Sequence, residues 1–247
     1  MINYLKSESF RLRKTRSTYL IGLLILLIPL PPLIMSYYYG TIDDSFLYNN
    51  TAFFFRFTRL SLVSIPFFIP FIANTLFANV QRYGVLKNDV AYGISRRTIY
   101  FSKFLMTALF SFAIGVLVLI IFTGTSLLLL TRNGQVEGPN FAKAVFAATP
   151  LLLAALAVNH MMVFACTKIE NSYLGYYLIV IIIPILLGYL AQVMPAIDKI
   201  SGLFLYIRLS ENYWQQPQDI LINWLYFIGY FVLFSFIGIK QFNQQEI

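Results

Sequence analysis

The polar residues that could do chemistry in this chain form three small groups between long apolar runs. The largest lies in "NDVAYGISRRTIYFSK", residues 88–103, where an aspartate, two adjacent arginines and a lysine surround a Gly-Ile-Ser turn. The second is Arg56 and Arg59 in "FFFRFTRL", three positions apart and so on one helical face. The third is His160, the only histidine. These groups offer charge and hydrogen bonding, and each is a candidate for docking, binding or catalysis.

Catalysis within a membrane needs a recognisable set of groups, and most of that set is missing. The sequence has no H-E-x-x-H motif and no pair of acids within an apolar run, so a metal site built on His160 alone is not expected. "GTS" (124–126) and "GIS" (93–95) lack the flanking glycine and partner histidine of an intramembrane serine protease. We therefore predict no catalytic residue and no metal. His160 is interpreted as a helix-packing hydrogen-bond donor, with an intramembrane enzyme as the alternative.

Sources of energy for transport are also missing from the sequence. It contains no G-x-x-x-x-G-K-[ST] loop for ATP, and no acid or base in the middle of an apolar run that could couple transport to protons or ions. If the protein moves a substrate against a gradient, the energy must come from another polypeptide.

The elements that must position these groups are membrane helices. Of 247 residues, 59% are hydrophobic and 11% are charged, whereas soluble domains carry about 25% charged residues. A helix needs about 20 apolar residues to cross a bilayer, and backbone amides in hydrocarbon must be paired within their own segment. We therefore predict an all-α polytopic membrane protein, one transmembrane domain over residues 1–247, with six spans near residues 18–38, 57–79, 104–130, 145–166, 173–194 and 221–239.

Prolines are expected to interrupt the first two spans, because proline removes a hydrogen bond from the helix. Pro29, Pro31 and Pro32 should kink or unwind the outer end of the first span, and Pro66 and Pro70 should bend the second.

The basic residues predict the orientation of the chain. With six spans, both termini lie on the same side of the membrane. That side holds twelve of the eighteen basic residues but only four of the ten acids, so the whole formal charge of +8 falls there. The positive-inside rule makes that side the cytoplasm. The excess of basic over acidic residues therefore indicates the membrane topology and gives no reason to expect nucleic-acid binding.

The basic segment 1–16, "MINYLKSESFRLRKTR", carries a weak helical pattern. Ile2, Leu5, Ser9 and Leu12 are spaced by three or four residues, which predicts a short helix with one side lying in the membrane interface. A plain positively charged flank is the alternative.

The outer loop 195–220 shows the same periodicity. Its apolar residues predict one helix lying in or dipping into the outer interface, with aromatic side chains at the level of the headgroups. The apolar residues are Ile197, Ile200, Leu203 or Phe204, and Ile207, and the aromatic ones are Tyr206, Tyr213 and Trp214.

The loop 81–103 between the second and third spans is longer than a connector needs to be. Four to six residues usually suffice, and this loop has more than twenty. Gly84 should end the second span, and "VLKNDVAY" should form a short helix that stops at Gly93. Ser95 can then cap the helix that enters the third span. The short helix would thus be tied at both ends to membrane spans and could not move without them.

The residues around this short helix resemble those of a known family. A basic segment precedes the first span, and Gln81, Gly84, "KND", "YGISR" and a lysine at the mouth of the next span follow in order. This succession, the six-span layout and the long outer loop are similar to permease subunits of ABC-2-type transporters. The similarity is greatest to the small permeases that export, or confer immunity to, bacteriocins, lantibiotics and other amphipathic peptides in Gram-positive bacteria. Family members commonly have glutamate in place of Gln81 and threonine in place of Val85.

The resemblance implies one permease subunit of an ATP-driven exporter in the bacterial plasma membrane. A second permease, identical or a paralogue, would complete the passage, and ABC ATPase subunits would bind beneath it. No cofactor would bind this chain directly, since ATP and Mg²⁺ would lie on the ATPase. Membrane lipid and an amphipathic peptide cargo would be further partners. A non-transporting immunity or sensor protein that sequesters a peptide is the alternative.

The resemblance also assigns the short helix as the coupling helix that docks in a groove of the ATPase. A solvated basic loop is the alternative. The residues that would face the ATPase are Lys87, Asn88, Asp89, Val90, Tyr92 and Gly93, and those that would cap and anchor the following turn are Ser95, Arg96 and Arg97.

A path for the cargo is expected along the second span. Arg56 and Arg59 would form a cationic spot on an apolar wall that includes Phe55, Phe67 and Phe68. The alternative for the two arginines is snorkelling to the outer headgroups.

Overall fold

A computed structural model of the chain describes residues 2–43, 45–74, 85–166, 168–211 and 213–245. These residues are predominantly helical. The helices are α1 (Ile2–Lys14), α2 (Arg16–Leu27), α3 (Leu30–Ile42), α4 (Thr51–Ser61), α5 (69–74, as far as it is described), α6 (Val85–Ala91), α7 (Arg96–Leu129), α8 (Glu137–Ala165), α9 (Ile169–Tyr177), α10 (Ile183–Ala191), α11 (Pro195–Ser201), α12 (Leu205–Ser210) and α13 (Pro217–Gln244).

Five helical stretches within the described residues are long and apolar enough to cross a membrane, as expected for a multi-pass membrane protein. They are Thr18–Ile42, Arg96–Leu129, Glu137–Ala165, Ile169–Ala191 and Gln218–Gln244. The first is interrupted by two turn residues, Ile28 and Pro29, and continues as α3.

The second predicted span, 57–79, is not one regular helix. α4 ends at Ser61, a 3₁₀ helix covers Leu62–Phe67, and α-helix resumes at residues 69–74. The remaining predicted residues, 75–79, lie outside the described part of the chain. The described residues therefore support five of the six predicted spans as long helices.

Two prolines explain why the second span is irregular. In an α-helix the carbonyl of Pro66 would accept from the amide of residue 70, but Pro70 has no N–H. The hydroxyl of Tyr176 donates to that carbonyl at 2.8 Å, and Tyr177 donates to the carbonyl of Phe67 at 2.7 Å. The fifth predicted span is irregular at the same level, where a π-helical turn, Leu178–Ile182, precedes Pro184. The two irregular segments pack against each other.

The core of the molecule is built around α8. Over an apolar stretch of 18 residues in α8, 61% of the residues are buried, against 11–22% over the corresponding stretches of the other four candidate spans. Ala144, Ala147 and Ala154 are fully buried, and small side chains allow neighbouring helices to approach closely. α13 packs along α8 more extensively than any other pair of elements, and the amide of Asn223 donates to the carbonyl of Ala147 at 2.8 Å.

The loop 195–220 differs from its prediction, because two short helices replace the single one. α11 and α12 are separated at residues 202–204. Tyr226 and Tyr230 of α13 donate to the carbonyls of Gly202 and Leu203 at 2.6 and 3.0 Å, so the break loses no hydrogen bonding there. Of the predicted apolar stripe, Ile200 and Leu203 are exposed, and the buried leucines of this loop are Leu205 and Leu209, which were not part of the stripe.

Candidate functional site at the basic end

Five elements meet at one end of the bundle, which we name the basic end: α1, α6, the start of α7, and the final turns of α8 and α13. Arg96 of α7 donates to the carbonyls of Phe242 and Gln245 near the end of α13, the second at 3.1 Å. The side chain of Gln245 donates to the carbonyl of Phe164 on α8 at 2.8 Å. A cation at a helix C-terminus is favourable, because the last carbonyls are unpaired and carry partial negative charge.

α6 is joined to α7 by a compact, hydrogen-bonded turn. The amide of Gly93 donates to the carbonyl of Val90 at 2.9 Å, and the amide of Ile94 donates to that of Asp89 at 3.1 Å. Gly93 has a φ of +82°, a conformation that glycine adopts without steric cost. The Ser95 hydroxyl accepts from the amide of Thr98 at 3.3 Å and caps α7. The short helix and the helix stop at Gly93 are therefore present, while Gly84 lies outside the described residues.

One side of α6 is attached to the protein. Leu86 and Val90 pack against a buried apolar cluster that includes Ile99 and Tyr100 of α7. The carboxylate of Asp89 accepts from the hydroxyl of Tyr4 in α1 at 2.6 Å. Burial and this hydrogen bond raise the pKa of Tyr4, so the hydroxyl remains a donor at neutral pH.

The other side of α6 faces outward. Lys87 and Asn88 are exposed, and Tyr92, just after the helix, has 86% of its surface exposed. The predicted ATPase-facing set therefore divides in two. Its exposed members are Lys87, Asn88, Tyr92 and Gly93, and its partly covered members are Asp89 and Val90. Of the residues predicted to cap and anchor the following turn, Ser95 and Arg97 are exposed and Arg96 is partly covered.

A buried ion pair ties α1 to α7 directly behind α6. The ammonium of Lys103 lies 3.0 Å from a carboxylate oxygen of Glu8, and these side chains are 2% and 6% exposed. Arg11 also pairs with Glu8. The sequence analysis did not find this pair, since Glu8 and Lys103 stand in separate segments. The one available signal was a lysine at the mouth of a span, where a partner is expected.

The predicted cargo-path residues lie near the opposite end, which we name the loop end. Arg59 pairs with Glu137 at 2.8 Å and stands 4.7 Å from the ring centre of Trp214. Phe55 is buried against the aromatic ring of Phe141, and Phe67 is partly buried. The predicted path residues that remain exposed are Arg56 and Phe68.

Residues 4–188 match the sequence family described as ABC-2 family transporter protein. The chain belongs to this family. The matched range begins in α1 and ends in α10, so it includes the whole connection through α6. No curated protein and no solved structure matches the chain. The family consists of membrane subunits of transporters, and an ABC ATPase is their general partner.

The ABC-2 chain also holds a buried polar cluster that the sequence analysis missed. The side-chain amide of Asn159 in α8 donates to the side-chain oxygen of Asn74 in α5 at 2.9 Å, and Asn74 donates to the Ser172 hydroxyl of α9 at 3.3 Å. All three residues have 0% of their surface exposed. Two asparagines within apolar runs were the available signal, because buried amides need partners.

His160, beside this cluster, fits the helix-packing role predicted for it in this ABC-2 protein. Its Nε2 lies 3.0 Å from the carbonyl oxygen of Tyr100, which can only accept, so the ring nitrogen donates. The ring also packs against those of Phe104 and Phe164. His160 therefore links α8 to α7.

Proposed function

We propose that this protein is the permease subunit of an ATP-driven exporter and that α6 docks on a separate ATPase subunit. The observation that carries the proposal is the division of α6 into two sides. Asp89 and Val90 attach it to the protein, while Lys87, Asn88 and Tyr92 project into solvent. An exposed aromatic beside a charged and an amide side chain has the composition of a docking surface.

The attachments of α6 support a mechanical role. The hydrogen bond from Tyr4 to Asp89 joins α6 to α1, and the turn at Gly93 joins it to α7. The Glu8–Lys103 pair also joins α1 directly to α7. A displacement of α6 by the ATPase would therefore reach α1 and α7 together, and α13 through Arg96.

The proposed assembly holds two permease subunits and two ATPase subunits in the bacterial plasma membrane. The second permease is an identical copy or a paralogue, and ATP with Mg²⁺ binds to the ATPase subunits. In this proposal the assembly has two states, which differ in the side of the membrane from which the passage is accessible. ATP shifts the assembly between them only through its different affinity for the two states.

The proposed cargo is an amphipathic peptide or a lipid-like molecule, as in the permeases that the sequence resembles. Arg56 and Phe68 are the exposed part of the predicted path and would meet that cargo. Arg59 would act there only by leaving Glu137 and Trp214. The test of this assignment is export by Arg56→Gln, which should fall if Arg56 meets the cargo and should be unchanged if it only reaches headgroups.

The docking proposal is tested by co-purification with the ATPase subunit, chosen from the adjacent reading frames. Asn88→Ala combined with Tyr92→Ala should reduce the ATPase retained in detergent at least about tenfold, because hot-spot side chains contribute 2 kcal/mol or more. The matched control is Tyr189→Ala, which removes an exposed tyrosine from α10. Equal retention in the double variant and the control would contradict docking through α6. If the wild-type chain retains no ATPase, the sequestering alternative is favoured.

A further inference from the structure

An open groove of about 530 Å³ lies between α1 and α7. Its polar lining is Lys6, Ser9 and Arg13, all from α1. Its apolar lining includes Phe10 of α1 and Leu105 and Leu109 of α7, three side chains that are substantially exposed. Cations therefore stand on one wall of the groove and apolar surface covers the rest.

The groove uses the side of α1 that does not pack on the protein. Tyr4, Glu8 and Leu12 recur every four residues and are buried. Lys6 and Arg13 are seven apart, about two helical turns, and are exposed on another side. α1 is thus anchored along one side and presents positive charge along the other.

The two cations of the groove are available for an anion. The ion pairs of the described residues involve neither Lys6 nor Arg13. Glu8, the one acid of α1, is engaged by Lys103 and Arg11. The carboxylate of Glu8 therefore does not compete with an incoming anion for Lys6 and Arg13. A phosphate would meet these two cations and the hydroxyl of Ser9.

The apolar wall runs in the direction that a lipid chain needs. Leu105 and Leu109 are one helical turn apart and follow Lys103 along a helix that is long and apolar enough to cross a membrane. The cations therefore lie near the mouth of the span, and the leucines continue from them toward its apolar middle. This order matches a phospholipid, with its charged headgroup at the interface and its acyl chains in the hydrocarbon.

We propose that this groove is a binding site for one anionic phospholipid of the adjacent leaflet. Lys6, Ser9 and Arg13 hold the phosphate, and Leu105 and Leu109 contact the first part of an acyl chain. The proposal does not depend on the exporter function. It assigns α1 a specific lipid partner, in addition to the general attraction of its cations to the negatively charged surface of a membrane.

The test is native mass spectrometry of the full-length protein in detergent with added palmitoyl-oleoyl phosphatidylglycerol. Lys6→Gln with Arg13→Gln should bind this lipid roughly 30-fold more weakly, since each of the two cations should contribute about fivefold to the affinity for an anionic headgroup. The matched control is Arg16→Gln with Lys240→Gln, which removes two exposed cations outside the groove. Wild type and control should bind phosphatidylglycerol well above phosphatidylcholine with the same chains.

Two further arms separate the lipid from other ligands. Leu109→Asn leaves every cation in place and should also weaken phosphatidylglycerol binding, because the acyl chain loses apolar contact. Millimolar inorganic phosphate should not displace the lipid. Equal losses in the two glutamine double variants, no loss in Lys6→Gln with Arg13→Gln, or displacement by inorganic phosphate would each overturn the site. Thermal unfolding of every variant should match wild type to within a few degrees.

Discussion

The two ends of the bundle hold their charged side chains in different ways. At the basic end, Lys103 and Glu8 are almost sealed from solvent and join α1 to α7. At the loop end, the Arg59–Glu137 pair leaves 13% and 27% of its side chains exposed. Breaking a buried pair costs several kcal/mol, whereas an exposed pair contributes about 1 kcal/mol or less. The comparison teaches that α1 belongs to the folded core, although its sequence is that of a peripheral basic segment.

The largest effect is expected from Lys103→Met at the basic end. The substitution leaves Glu8 buried with Arg11 as its remaining partner, and we expect a loss of about 3 kcal/mol in the free energy of unfolding. Thermal or denaturant-induced unfolding of the protein in detergent measures this loss.

The control for this prediction removes both charges at once. Glu8→Gln with Lys103→Met should recover most of the stability, because no unpaired charge is then buried. A single variant as stable as wild type would show that solvent reaches Glu8 and would erase the difference between the two ends.

An intermediate effect is expected from Asn159→Ala in the buried polar cluster that Asn159 forms with Asn74 and Ser172. The change leaves the side-chain oxygen of Asn74 buried without its donor, which should cost about 2 kcal/mol. Asn171→Ala, an exposed asparagine on α9, is the matched control and should be nearly neutral. Similar melting temperatures for the two variants would mean that water satisfies Asn74. Such a result would leave Glu8 and Lys103 as the polar pair that is sealed from water.

The smallest effect is expected from Arg59→Met at the loop end. Its ion pair with Glu137 and its contact with the Trp214 ring are partly solvated, so we expect a loss of about 1 kcal/mol. A double-mutant cycle with Glu137→Gln measures the pairwise part. A coupling free energy above about 2 kcal/mol would place the loop-end pair in the same class as Lys103 and Glu8.

The features that the sequence predicts correctly depend on nearby residues. The short helix, its stop at Gly93 and the Ser95 cap follow from propensities within a few positions, and so does the break beside Pro29. The five long helices follow from apolar length alone. Each of these signals is local and is therefore readable without the fold.

The features that the sequence does not predict depend on distant partners. Glu8 meets Lys103, and Asn74 meets Asn159, only after the helices pack. The break between α11 and α12 is supported by Tyr226 and Tyr230, which stand in another helix. Periodicity along one segment carries no information about such hydroxyl donors, and for that reason one continuous outer helix was expected.

The 3₁₀ helix at Leu62–Phe67 has a geometric consequence for the helices on either side. A 3₁₀ helix rises about 2.0 Å and turns about 120° per residue, against about 1.5 Å and 100° in an α-helix. Over six residues the difference amounts to roughly 3 Å in length and a third of a full rotation. The 3₁₀ segment thus acts as a spacer that sets the azimuth of α5 relative to α4. Six residues of α-helix in its place would turn the face of α5 that carries Asn74 by about a third of a rotation relative to α4.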